Sequence, residues 1–351
     1  MKVIIEMLLK AAVVGMGHWG KTLLNNFSNN SEIDVCAVCD RNKDNLTYVE
    51  ENFPSISIYT QSDDIFLDRS IDIVVIATQA ESHFELTMKS LNHGKHVFVE
   101  KPFVLNSQDA IEIINLNKKL KKIIMVDHTF IFTPEYDAIK GIIRKNELGR
   151  VFNFYSFRGG FGEFQIDTNI FWHLMYHDLY VLNDLFPAFE VNNSVVDSCS
   201  HVVKNIDDIA LASFSFNSIN VQLISNMHYP FKERNIVISG DEKILLWDSA
   251  KAGGVQVWEK SAYYNKGMKR PDYSVNEEPH RIMVSNKLAL TRQISYFVRC
   301  IKDRIRPIDA DLQVPDTSKF KNHTGWEPII PYEKTILDLL DFWRIQVAKN
   351  N

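Results

Sequence analysis

Glycines spaced G-x-G-x-x-G occupy Gly15, Gly17 and Gly20, and an acidic residue, Asp40, follows 20 residues after the last of them. A glycine hexamer alone also marks plain turns, so its surroundings decide what it can do. Here an apolar run at 10–14 precedes it, helix-compatible residues at 21–27 follow, and Asp40 ends a second apolar run at 35–38. In that setting Gly15 makes a tight turn, Gly17 admits a pyrophosphate to backbone N–H groups, and Gly20 lets helix and strand approach closely. His18 and Trp19, inside the same turn, join the expected dinucleotide contacts. Asp40 can accept hydrogen bonds from both hydroxyls of an adenosine ribose and would repel the extra phosphate of NADP, which makes NAD the expected cofactor. Arg41 follows directly and can pair with that phosphate, so NADP stays open.

Two other pairs have spacings that suit a metal. Cys36 and Cys39 form C-x-x-C, but they lie in a strand-like run, where residues three apart point to opposite faces. His173 and His177 stand four apart on a helix-like segment, the spacing of a zinc pair. No Glu follows His173 and no third ligand is evident, so no metal is expected.

The elements that must position these residues are legible as alternation. Apolar runs at 10–14, 35–38, 71–77 and 96–99 are separated by polar, helix-like segments at 42–52, 82–93 and 107–122. Such alternation favours a parallel sheet covered by helices. Further on, strand-like stretches at 151–159, 208–216, 219–227, 235–239, 243–247 and 255–259 are divided by turn residues such as Asn217-Ser218 and Gly240-Asp241. The 351 residues, 45% of them apolar, are enough for two domains with ordinary cores. With 39 Lys and Arg against 44 Asp and Glu and no basic block, neither nucleic acid nor an anionic membrane is expected as partner. No apolar stretch approaches the roughly 20 residues that span a bilayer. The opening residues are broken by Glu6 and Lys10, which argues against a signal peptide. Four scattered cysteines fit a reducing cytoplasm.

Three blocks carry a resemblance. The run from Ile73 to Thr78 with His83 after it, the run from Gly94 to Glu100-Lys101-Pro102, and a third block with Arg158, Asp167, Asn169, Trp172, Tyr176, His177 and Asp178 resemble the glucose-fructose oxidoreductase and inositol dehydrogenase family. Glu-Lys-Pro after a strand is its most specific mark. The resemblance covers residues 10 to about 303. It implies an N-terminal Rossmann domain at 1–127, with Thr78, Glu100 and Lys101 among its cofactor contacts. It also implies a substrate-binding and oligomerisation α/β domain at 128–304, built on a large, mostly antiparallel, open-faced sheet. A homodimer or homotetramer would follow.

Hydride exchange at a sugar carbon needs a proton partner for the oxygen on that carbon and a positive group beside it. The resemblance gives these catalytic roles to His177 and Lys101, and substrate contacts to Arg158, Asp167, Asn169, His173 and Tyr176. At His173 the chain departs from the family, where an Asp commonly stands four residues before the histidine. His83, His96 and His128 are read as scaffold or pocket-wall residues. The expected activity is an NAD(H)-dependent oxidoreductase acting on a sugar hydroxyl or ketone, in a nucleotide-linked sugar destined for surface carbohydrate. A dehydrogenase of free sugars or inositol-type polyols is the enzyme alternative. A dinucleotide-sensing regulator without catalysis is the alternative of another class.

Residues 305–351 change character. Their motif positions, at 306–307, 312–316, 318–320, 324–328 and 330–334, resemble the carboxyl end of extended short-chain dehydrogenases such as GDP-mannose dehydratases. Ile336, Leu337, Leu339, Leu340, Trp343 and Val347 make one apolar face of a helix expected to dock on the body or on another subunit.

Overall fold

Uninterrupted apolar runs near the amino terminus become the strands of a sheet buried on both faces. The computed structural model describes residues 8–307 apart from 163, 167, 187–191, 217, 251–253, 277, 286 and 287. All of them belong to the unit Met1–Gln313. The expected tail helix and the opening segment therefore lie outside the described residues.

Strands β1 (Leu9–Val14), β2 (Ile33–Cys39), β3 (Ser57–Tyr59), β4 (Ile73–Ile76), β5 (His96–Val99) and β6 (Ile124–Val126) pair in parallel, in the order β3-β2-β1-β4-β5-β6. Every residue of β4 is fully buried, as a strand covered on both faces requires. Helices α1 (His18–Ser28), α2 (Thr47–Asn52), α3 (Asp63–Leu67), α4 (His83–Asn92) and α5 (Ser107–Leu120) provide the crossovers. The strand order reverses between β1 and β4, and ligands of such sheets bind outside the carboxyl ends of the strands at that point. The short β3, α3 and β6 have no counterpart in the sequence reading, because three to five residues are too few to show a period.

The second half builds an eight-stranded sheet from β7 (Val151–Gly159), β8 (Asn192–Cys199), β9 (Ile209–Phe216), β10 (Ile219–Asn226), β11 (Glu233–Gly240), β12 (Ile244–Asp248), β13 (Val255–Trp258) and β16 (His280–Ile282). A separate hairpin joins β14 (Lys260–Asn265) to β15 (Arg270–Val275). The order of the large sheet is β16-β13-β12-β11-β7-β10-β9-β8, antiparallel except at the central β7 and β10. One face buries Phe154, Val221, Leu223, Ile236, Ile238 and Leu245 against α6 (Pro134–Arg144) and α7 (Tyr176–Leu185). Alternate residues point away from that core, giving the half-buried periodicity seen along β10.

The two cores do not follow the chain in order. Residues 11–125 form the first and 131–257 the second, but α8 (Ala289–Asp303) returns to the first with Leu290, Ile294, Phe297 and Val298. The helix that closes the expected second domain at 128–304 thus packs into the first core. Packing of one apolar helix face decides which core the helix joins, and its position in the sequence does not.

Candidate active site

At the carboxyl end of β1 the chain turns within a space that admits no side chain. Gly15 has φ +97°, and a Cβ there would stand 2.5 Å from the carbonyl oxygen of Ala77; one at Gly20 would stand 2.0 Å from that of Gly15. Gly17 has nothing within 4 Å of its Cβ position, caps α1, and receives no side-chain hydrogen bond there. The first amides of α1 thus face a cleft of about 650 Å³ lined by Gly15, Gly17, His18, Trp19, Asp40, Arg41 and Thr78. Open backbone amides at a helix start, with room where a side chain would stand, fit a pyrophosphate. Gly20 lies beneath, as helix-to-strand packing requires.

Asp40 lies on the cleft wall and also staples the turn. Its carboxylate accepts from the amides of Met16 at 2.7 Å and Asn42 at 2.8 Å, and from Asn45 Nδ2 at 3.1 Å. The glycine-motif reading gave no hint of this second task. Trp19 Nε1 donates to Asp127 Oδ2 at 3.0 Å. Glu100 follows the end of β5, where burial first and the charge of Asp127 second push its carboxyl well above the usual range. Asp127, absent from the sequence reading, follows the three-residue β6 and had only an acid after a short apolar run to announce it.

Lys101 leaves β5 and reaches across to the second half of the chain, where its Nζ donates to the carbonyl of His173 at 3.1 Å. Burial lowers its pKa, while Glu100 and Asp127 oppose that shift. The helix it meets begins irregularly. A π-turn at Phe171–Met175 precedes α7, with the amide of Tyr176 donating to the carbonyl of Phe171. Such wider turns recur at functional sites, and this one corrects the expectation of one regular helix carrying His173 and His177. His177 Nδ1 lies 3.2 Å from the Tyr180 hydroxyl, and its ring meets Phe130 edge-on. Burial first, then Lys101, Arg158 and Arg234, hold His177 well below the ordinary histidine value. Burial, Lys101 and Arg234 bring His173 down to about 4.

Other expected substrate residues are engaged inside the protein. Arg158 is buried and its Nε donates to Asp178 Oδ1 at 2.8 Å, while its guanidinium lies over the Phe130 ring at 4.6 Å. β7 points Arg158 into the core, where a charge needs a counter-charge, and Asp178 supplies it. Asn169 accepts from the amides of Trp172 through Oδ1 and of His173 through its carbonyl, so it shapes the turn. Tyr176 shares a hydrogen bond of 2.9 Å with His128 Nε2. Asp167 lies outside the described residues. His83 sits between the carbonyls of Pro102 and Thr78, and His96 accepts from the amide of Ile123, both scaffold positions. Arg234, opposite Arg158 in the ladder of β11 and β7, was missed. Its signal was available, since it shares a face with the buried Ile236 and Ile238, and a cation on an inward face is rarely idle.

Comparison with known proteins bears on this geometry. The family described as an oxidoreductase family with an NAD-binding Rossmann fold matches residues 9–128. Residues 9–128, which hold the first sheet and its helices, carry that family's NAD-binding fold. An inositol 2-dehydrogenase/D-chiro-inositol 3-dehydrogenase of Lactiplantibacillus plantarum is 28% identical over 144 residues, 40% of this chain and 41% of that protein. The chain spans about two fifths of the length of the curated relatives it matches. Among solved structures, UDP-N-acetylglucosamine 3-dehydrogenase GnnA of Acidithiobacillus ferrooxidans superposes with a TM-score of 0.73 at 19% identity, covering 88% of this chain and 94% of that one. KijD10, a 3-ketoreductase of Actinomadura kijaniata in complex with NADP, gives 0.73 at 14% identity over 87% and 94%. At such identities the likeness speaks for the fold alone. No helix among the described residues is long and apolar enough to cross a membrane.

Proposed function

We propose that this protein exchanges hydride between NAD(H) and the carbon of a sugar hydroxyl or ketone, in a nucleotide-linked sugar. The observation that carries the reading is the meeting of Lys101, from the end of β5, with the π-turn that leads into His177. When bound, the dinucleotide supplies or accepts the hydride. The glycine turn and the start of α1 hold its phosphates, and Asp40 takes the ribose hydroxyls. Lys101 stands as the cation beside the reacting oxygen, and the neutral ring of His177 takes the proton of a hydroxyl in oxidation, while in reduction the protonated ring gives its proton to the carbonyl oxygen. Lys101, Arg158 and Arg234 also act on His177 and favour its neutral ring. A nucleotide-linked substrate draws support from the sugar 3-dehydrogenase and 3-ketoreductase among the structural neighbours. The inositol dehydrogenase among the relatives favours a free polyol as the second reading.

Turnover followed by NADH absorbance across UDP- and TDP-hexoses, free sugars and inositols separates the two. Lys101→Ala and His177→Ala are each expected to lower kcat by about a hundredfold or more, with NADH affinity changed far less. Turnover confined to free polyols moves the substrate to the second reading. Near-parental turnover in His177→Ala removes that residue from the mechanism.

A further inference from the structure

Outside the lysine and histidine site, three side chains able to ligate a metal converge where the connection after β8 meets the end of β10. His201 Nδ1 stands 3.2 Å from Asp208 Oδ1, and His228 Nε2 stands 3.3 Å from Asp208 Oδ2. The ligand atoms of all three residues lie within 4.8 Å of one another. We propose that His201, Asp208 and His228 form a binding site for a divalent transition metal of the zinc class.

The distances suit that ion. With zinc to nitrogen and oxygen distances of roughly 2.0–2.2 Å, the edge of a coordination tetrahedron is about 3.3 Å, which is the separation found between each histidine nitrogen and the carboxylate. Two imidazoles and one carboxylate favour zinc and its neighbours over magnesium or calcium, which prefer oxygen donors. They leave a fourth position for water. The carboxylate is pre-organised as a ligand: Asp208 is buried, and Oδ2 accepts from the amides of His201 at 2.9 Å and Val202 at 3.0 Å.

His228 supplies an independent sign. Its Nε2 is buried and faces the Asp208 carboxylate at 3.3 Å. A buried imidazole nitrogen held against a carboxylate oxygen that already accepts from two amides is a donor arrangement that an ion between the three residues would complete. The rings of Phe164 at 5.0 Å and His201 at 5.3 Å surround that imidazole, and the exposed His201 gives an ion its way in. Neither pair weighed from the sequence contributes a ligand, because the three residues come from the ends of different strands and only the sheet brings them together.

The site would brace the entry to the active helix. Asp208 is tied to the ends of β8 and β10 by backbone hydrogen bonds to Cys199 and Met227, and the neighbouring Asp207 accepts from the amide of Ile170, just before the π-turn. The inference does not depend on the reaction proposed above.

The test uses the full chain, stripped with a chelator and titrated with Zn²⁺ against a chromophoric competitor, and in parallel with Co²⁺ followed by its visible spectrum. One ion per chain is expected, with the Co²⁺ spectrum of a tetrahedral nitrogen and oxygen site and a rise in melting temperature on Zn²⁺ addition. His201→Gln and His228→Gln are each expected to weaken binding by about tenfold or more and to abolish the rise, while His173→Gln leaves both in place. His201 is exposed, so its substitution keeps the fold, which circular dichroism of the metal-free variant checks. Equal Zn²⁺ affinity in parent and His201→Gln, absence of binding, or loss of binding in His173→Gln would each overturn the proposal.

Discussion

His177 keeps a neutral ring because burial and three cations act on it in the same direction. Its folded pKa lies below 6.5, so an oxidation that needs the neutral ring holds its rate as pH falls through 6.5 and loses it only at lower pH. Replacing His173 by Asp puts a negative charge near the same cations and favours the protonated ring, so the acidic limb of the pH dependence of kcat/KM is expected to move upward. A profile that stays put would show that position 173 does not act on His177. At Asp40, Ser removes both the ribose acceptor and the staple to the Met16 amide. With about 1.5–3 kcal/mol per charge-assisted hydrogen bond, NAD(H) affinity is expected to fall about tenfold or more, and NADP(H) affinity less. Equal losses for the two cofactors, measured by fluorescence titration, would place the carboxylate away from the ribose. Lys101 and His177 were legible as residue types in a motif. The pairing of Arg158 with Asp178 was not, since nothing in the spacing of the two shows that both point inward.

The glycine turn is an element whose three glycines do different work, and substitutions can tell them apart. Alanine at Gly15 or Gly20 collides with backbone, and at Gly15 the left-handed φ adds strain. Each is expected to lower stability by about 1–3 kcal/mol, read as a fall in the urea midpoint. Alanine at Gly17 meets no protein atom, so stability should stay at the parental value while NADH binding weakens, because the methyl group occupies the phosphate space. A stable Gly15→Ala protein, or unchanged NADH affinity in Gly17→Ala, would break this assignment. Element types read well where the pattern was strong: β7 occupies the expected 151–159, and β9, β10 and β12 lie within a residue of their expected ends. The π-turn was invisible, because its wider spacing arises from packing at the start of α7 and leaves no mark on an apolar pattern.

At the scale of the molecule, α8 ties the end of the described chain to the first core. Phe297 is fully buried and meets Phe98 of β5 edge-on with ring centroids 5.6 Å apart. Phe297→Ala is expected to cost about 3–5 kcal/mol and to lower the denaturation midpoint of the NAD-binding domain, a loss that saturating NADH should partly offset. A midpoint within error of the parent would mean that the helix is not part of that core. The sequence by itself determined the local matters: alternating strands and helices, a dinucleotide turn with an acid at the end of β2, and a lysine placed by Glu-Lys-Pro at the end of β5. Each rests on residues close in the chain, where periodicity and backbone sterics act. Only the tertiary structure decided that α8 belongs to the first core, that Arg158 pairs with Asp178, that Arg234 joins the cations around His177, and that two histidines and an aspartate meet near the π-turn. Those outcomes depend on the register between strands distant in sequence, which brings together side chains that no spacing along the chain connects.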